Sequence, residues 1–265
     1  MCGLRTGYTD LDNMLTGLKP GELFVIAARA NVDICGFTRS LVSSIAAGVE
    51  PKPVGVFSLE MGAGLFVLAL ICSDAGVSLR DVRDGATSNN SWNRIMTAAV
   101  KFKDAPIYIE DIVSDVHVIC SRAREMKAQH NIQALFIDTF QFILPSPVET
   151  DKTVGEENDL ITGHIKALAK ELNIPIVLAT WMDCALERSG TRPMFSNQRE
   201  LGLIARHADI FAVLQPDDSA ETGELTVGSH GGTNENLKLV IPWHRNGPTG
   251  VVKFSVNESG GVSSR

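Results

Sequence analysis

Paired cysteines are missing from this sequence. The five it has, Cys2, Cys35, Cys72, Cys120 and Cys184, are odd in number, scattered and never spaced C-x-x-C. That usage argues against both a disulfide framework and a zinc site, and it fits a reducing cytoplasm. Long apolar runs are missing too: stretches such as Leu65 to Cys72 are far too short to span a bilayer, and the amino terminus has no charged-then-apolar signal pattern. A soluble, non-exported, cytoplasmic protein with no membrane contact is expected. The third absence is an excess of positive charge. With a formal net charge of −7 and a pI of about 5.4, the molecule has no general attraction for phosphate backbones, so nucleic-acid contact would need a local patch or a partner. The histidines (His117, His130, His164, His207, His230, His244) lack metal-ligand spacing, and no Gly-x-Ser-x-Gly turn offers a serine nucleophile. No metal is expected.

What is present points to one α/β core. Hydrophobic residues are 44% and charged residues 21% of the chain, a globular balance rather than that of a disordered segment. A chain of 265 residues can form a single open sheet with helices on both faces. Short β-rich runs alternate with helical patterns from end to end, as a mostly parallel sheet requires. The predicted strands are Leu23 to Ala28, Val54 to Leu59, Pro106 to Ile109, Ala134 to Asp138, Pro175 to Thr180 and Ile210 to Leu214. Between them, Val116, Ile119, Ala123 and Met126 form one helical stripe and Ile161, Ile165, Leu168 and Leu172 another. Thr153 and Glu156 have capping-box spacing, and Asn173 is a stop for the same helix. A polar, Gly-rich loop is expected from Gln215 to Asn236, followed by a hairpin of Leu237 to Trp243 and Gly250 to Phe254 around a turn-rich run.

Several stretches, in this order, carry a resemblance. They are Thr6-Gly7-Tyr8-Thr9-Asp10-Leu11-Asp12 with Gly17 to Leu23, then Phe57-Ser58-Leu59-Glu60-Met61, then Phe136-Ile137-Asp138 with Gln141. Arg192-Pro193-Met194 to Arg199-Glu200 and Arg245-Asn246-Gly247-Pro248-Thr249-Gly250 complete the set. Together they resemble the RecA-like motor domain of the DnaB-type replicative helicases. The resemblance implies a three-layer α/β/α fold over residues 1–265 as a single domain, with a carboxy-terminal β-hairpin and without that family's amino-terminal helical domain.

In such a motor a GxxxxGK[ST] loop follows the first strand. Its glycines let backbone amides curl around phosphates, its lysine reaches the β/γ oxygens, and its hydroxyl holds Mg²⁺. Here that loop reads Ala28-Arg29-Ala30-Asn31-Val32-Asp33-Ile34-Cys35-Gly36-Phe37, and no GK[ST] occurs anywhere. Asp33 stands at the second glycine, Ile34 at the lysine and Cys35 at the hydroxyl. The loop residues Arg29, Asn31, Asp33, Ile34 and Cys35 therefore form a degenerate nucleotide site. Losing the lysine removes a charge-assisted contact of about 1.5 to 3 kcal/mol, and Asp33, opposing phosphate in a partly desolvated place, adds a comparable cost. Phosphate affinity should fall by roughly two to four orders of magnitude. Cys35 is not expected to act as a nucleophile, since the carboxylate of Asp33 beside it raises a thiol pKa.

The resemblance assigns further roles. Glu60 takes the place of the glutamate that polarises the attacking water, and Asp138 matches the carboxylate that holds Mg²⁺. Without the lysine and the hydroxyl, the favoured reading of each is a solvated carboxylate at a sheet edge. Trp181 stands where the family has a γ-phosphate-sensing glutamine. Arg245 matches the arginine finger that serves a neighbour's ATP, without its lysine partner, and is equally an ordinary solvated arginine. For DNA, the segment after Leu144 is unfavourable, with five acids against one base over residues 149–159. Arg188, Arg192 and Arg199 make the better candidates.

These readings give a catalytically inactive DnaB-like domain acting in DNA replication or its control, through contact with a replicative helicase or helicase loader, in a homo- or hetero-oligomeric ring, and needing no cofactor. One alternative is an ATP-dependent helicase or ATPase with an atypical site, using Mg-ATP with Glu60 and Asp138. Another is a nucleotide-independent module for single-stranded DNA.

Overall fold

The computed structural model describes residues 3–29, 32–112, 115–144, 153–182, 199–217, 236–257 and 261–264. Its centre is a nine-stranded sheet in the order β3-β2-β4-β5-β1-β6-β7-β8-β9. The strands are β1 (Leu23–Ala28), β2 (Val54–Ser58), β3 (Ile107–Glu110), β4 (Ala134–Asp138), β5 (Ile176–Trp181), β6 (Ile210–Pro216), β7 (Leu237–His244), β8 (Gly250–Val256) and β9 (Val262–Ser264). From β3 to β6 the pairings are parallel, and β7 to β9 run antiparallel at the edge. The six parallel strands agree with the predicted ones to within about two residues, because a strand buried on both faces reads as an unbroken apolar run. β6 continues through Pro216, so the expected polar loop begins later; residues 218–235 lie outside the described set.

β1 shows how the layers form. Phe24, Ile26 and Ala28 face one apolar cluster, while Leu23, Val25 and Ala27 face another, and all six are fully buried. On the first face lie α1 (Thr9–Leu15), α2 (Ile34–Ala46) and α3 (Ala63–Ala75). On the second lie α6 (Val116–His130), α7 (Val154–Leu172) and α8 (Arg199–His207). Two further helices, α4 (Leu79–Arg83) and α5 (Asn89–Lys103), extend the β3 side around a small cluster of Ala75, Val77, Ile95 and Ala98. The fold is RecA-like, three layers around a mostly parallel sheet.

Local signals explain the ends. α7 starts at a complete capping box, with Thr153 accepting from the Glu156 amide and the Glu156 carboxylate accepting from Thr153. It stops at Asn173, which adopts a left-handed conformation. Its stripe of Ile161, Ile165 and Leu168 is buried, and each such side chain contributes about 1.5 to 3 kcal/mol of transfer free energy. Near the start, Asp12 accepts from Thr6 and from the amide of Gly7. Gly7 has a φ of +86°, and a Cβ there would lie 2.0 Å from Ser44 Oγ, so only glycine fits that turn. This first stretch of the resemblance thus holds α1 against the sheet.

Candidate functional site

In an open parallel sheet, ligands meet the crevice outside the carboxyl ends of the strands. At the end of β1 the chain passes through a loop whose residues 30–31, Asn31 among them, lie outside the described set, and then enters α2. Asp33 is the N-cap of α2: its Oδ1 accepts from the Gly36 amide at 2.7 Å, and its Oδ2 lies 3.4 Å from Arg39 Nη2. A Cβ on Gly36 would come within 2.3 Å of Asp33 Oδ2, so the glycine leaves the carboxylate room to lie over the helix start. An amide at a helix start is a natural anion site, and here an anion of the same chain takes it. The expectation that Asp33 acts in a partly desolvated place is corrected. Its side chain is 63% exposed, so water screens its charge. Ile34, expected to stand at the lysine position, is wholly buried with Phe37 and Leu41.

Cys35 is held deeper. Its Sγ lies 3.1 Å from Glu60 Oε2 and 3.1 Å from Asp138 Oδ1. Strand pairing makes this convergence: β2 and β4 are neighbours with Ser58 opposite Asp138, and the Leu59 amide donates to the Asp138 carbonyl at 2.7 Å. Ser58 Oγ then donates to the Met61 carbonyl at 2.7 Å, which curls the chain around Glu60. Glu60 is exposed, as a solvated edge carboxylate would be. Asp138 is not solvated: it is 1% exposed, and its Oδ2 has no hydrogen-bond partner. Burial pushes the Asp138 carboxyl up to about 6, against the pull of the Cys35 hydrogen bond and the Arg39 charge. Burial, followed by Asp138 and Glu60, pushes the Cys35 thiol far above its ordinary range. The carboxylates that press on this thiol are Asp138 and Glu60 rather than the expected Asp33.

Two more residues complete the edge. Trp181 ends β5 beside Ala28 of β1, and its indole packs on the core. Its amide donates to Gln141 Oε1 at 3.1 Å, while Gln141 Nε2 donates to the Trp181 carbonyl at 3.0 Å and to Thr180 Oγ1 at 2.9 Å. Arg39, which sequence reasoning passed over, brings a cation to this edge, with a side chain 13% exposed. Its position one helical turn after Cys35 was the available signal.

Residues 3–260 match the family model described as the DnaB-like helicase C terminal domain. The chain belongs to that family. It is 30% identical over 260 residues to the replicative DNA helicase DnaC of Bacillus subtilis, covering 96% of this chain and 54% of the relative. A similar match, 30% over 259 residues, relates it to the replicative DNA helicase DnaB of Geobacillus stearothermophilus, with 96% and 54% covered. This DnaB-like chain therefore spans about half the length of the curated relatives it matches. Among solved structures, one described as an ATPase domain superposes with a TM-score of 0.86 at 24% identity, covering 99% of this chain and 91% of that one. A DnaB-like replicative helicase, described with its interactions with primase, superposes with a TM-score of 0.86 at 24% identity over 98% and 61%.

The remaining residues expected to act in this DnaB-like domain fall elsewhere. Arg245 follows β7 at the other end of the sheet. Its amide donates to the Asp209 carbonyl at 2.7 Å, its Nε lies 3.3 Å from Asp209 Oδ1, and Nη2 reaches the Ala208 carbonyl at 3.4 Å. Asp209 also accepts from the Leu23 amide at 2.8 Å and pairs with Lys166. Leu23 opens β1 and Ala28 closes it, so roughly 16 Å of strand separates Arg245 from the loop of its own chain. Trp243, two residues before Arg245, is 48% exposed. Arg188 and Arg192, with residues 145–152, lie outside the described set; Arg199 opens α8, with its side chain outside it too. No helix of the described residues is long and apolar enough to cross a membrane.

Proposed function

We propose that this DnaB-like domain does not turn over ATP itself and acts in DNA replication or its control, in the cytoplasm, by contact with a genuine replicative helicase or its loader. The observation that carries this reading is the start of α2. The amide that would meet a phosphate is capped by Asp33, the lysine position is the buried Ile34, and the position of the magnesium-holding hydroxyl is a thiol lying 3.1 Å from each of two carboxylates. Mg-ATP does not fit these residues. In this reading Glu60 and Asp138 are retained family positions without a nucleotide to act on, and no Mg-ATP is required.

Contact with a partner is supported by α5, where Trp92, Met96 and Val100 are exposed at four-residue spacing, an apolar stripe of the kind that marks interaction surfaces. A sharper version has the domain join a ring with active subunits and lend Arg245 to a neighbour. Its support is that Arg245 stands on the edge away from its own loop and is 48% exposed. Single-stranded DNA would then be held by the ring as a whole.

The test is calorimetric titration with Mg-ATP together with a steady-state ATPase assay. Neither binding nor turnover is expected, and micromolar affinity with turnover would sink the reading. The alternative, an ATPase with an atypical site, draws on Arg39, a cation beside Asp33 that the lysine position does not supply. Millimolar Mg-ATP would then raise the melting temperature, as any ligand of the folded state must.

A further inference from the structure

We propose that Asn246 is a self-modification site, where the backbone nitrogen of Gly247 converts the Asn246 amide to aspartate or isoaspartate with His244 as the base. This goes beyond the functional reading above and does not depend on it. Asn246-Gly247 is the only Asn-Gly step in the sequence, and both residues are exposed in the turn between β7 and β8. A side chain on the following residue crowds the attacking nitrogen, and glycine has none. Asn131 and Asn173, by contrast, close helices and are each followed by isoleucine.

The imidazole is an independent observation. His244 is 8% exposed, and its Nδ1 lies 3.1 Å from the Pro248 carbonyl oxygen. A carbonyl only accepts, so Nδ1 carries the proton of the neutral ring and Nε2 keeps a lone pair. That nitrogen is buried without a hydrogen-bond partner among the described residues, so no donor there competes for the lone pair. The ring lies flush on Gly247: a Cβ there would come within 2.1 Å of Cε1 and 2.7 Å of Nε2. A free lone pair against the residue that supplies the nucleophile is the arrangement general-base activation requires.

The step balances with water alone. His244 Nε2 takes the Gly247 amide proton, the backbone nitrogen bonds to Asn246 Cγ, and the side-chain nitrogen leaves with that proton as ammonia. The five-membered imide then adds water and opens at either carbonyl, to aspartate or to isoaspartate. Asn246 Nδ2 donates to Glu22 Oε1 at 3.4 Å, so the product sets a carboxylate where Glu22 had a donor. It also adds a negative charge next to Arg245.

The test is peptide mapping by mass spectrometry of the full chain after incubation in mildly alkaline buffer, with isoaspartate scored by enzymatic methylation. Conversion is expected at Asn246 ahead of every other asparagine. It should run at least as fast in the folded protein as in the guanidinium-unfolded chain, since a turn without a base restrains the attack. His244→Gln, with folding checked by circular dichroism, should slow it at least about tenfold, a modest share of what a general base contributes. Should that variant fail to fold, the folded and unfolded wild-type rates decide alone. Conversion led by another asparagine, slower conversion in the folded than in the unfolded chain, or an unchanged rate in folded His244→Gln would each overturn the proposal. ATP turnover would sink the functional reading and leave these results standing.

Discussion

The two ends of the parallel sheet each bury an aspartate, and they treat it differently. At the amino end Asp209 is 4% exposed, and its carboxylate receives the Leu23 amide, Lys166 and Arg245. At the carboxyl end Asp138 is 1% exposed, yet Oδ1 receives a thiol and Oδ2 nothing. Burying a carboxylate costs several kcal/mol unless charge and hydrogen bonds offset it. The amino end has that offset. The carboxyl end has only the Cys35 hydrogen bond and the charge of Arg39 set against burial, a weaker offset than Asp209 receives.

One isosteric change made at both ends tests the comparison. Asp209→Asn takes the counter-charge from Lys166, whose side chain is 14% exposed, and should lower unfolding free energy by about 2 to 4 kcal/mol. Asp138→Asn removes a weakly compensated charge and should be neutral or stabilising by up to about 2 kcal/mol. Urea denaturation of both variants reads the two signs. A destabilisation of Asp138→Asn as large as that of Asp209→Asn would erase the distinction.

Arg245 belongs to the compensated end by position but is half exposed. Its contact with Asp209 should therefore add less than about 1 kcal/mol, as exposed ion pairs do. Arg245→Ala is expected to melt nearly like wild type. Mixed with an active replicative helicase, the same variant should lower the neighbour's ATPase at least about tenfold relative to the wild-type mixture, a small share of what an arginine finger supplies. A large loss of stability would return Arg245 to the scaffold, and an unchanged mixture would remove the trans role.

How far the sequence was legible follows the same division. The six parallel strands, the Thr153–Glu156 capping box and the Asn173 stop were readable because each depends on a few neighbouring residues. The terminal hairpin was readable for the same reason, but β9 was not, being three residues with no apolar run. α4 and α5 were missed, and α5 carries only Ile95 and Ala98 as buried positions, too sparse a stripe to announce a helix. At the site, the end of each strand was visible but not which ends meet. Ser58 facing Asp138 is a matter of strand order, and strand order brings Glu60 and Asp138 together at Cys35. Asp33 itself carried a readable signal that was given a different meaning: an aspartate just before an apolar-periodic run is a helix cap.

That cap is the smallest effect and the most direct check on what occupies the phosphate's seat. Asp33→Ala should cost about 1 kcal/mol, as loss of an N-cap does, and Thr153→Ala at the start of α7 should cost a similar amount. Inorganic phosphate separates the two. If the Asp33 carboxylate stands where an anion would sit, removing it frees the Gly36 amide, and phosphate should restore part of the melting temperature lost by Asp33→Ala. Wild type and Thr153→Ala should respond to phosphate equally and weakly. An identical response from all three proteins would mean that Asp33 caps a helix and nothing more, leaving the loss of phosphate affinity to Ile34 and Cys35.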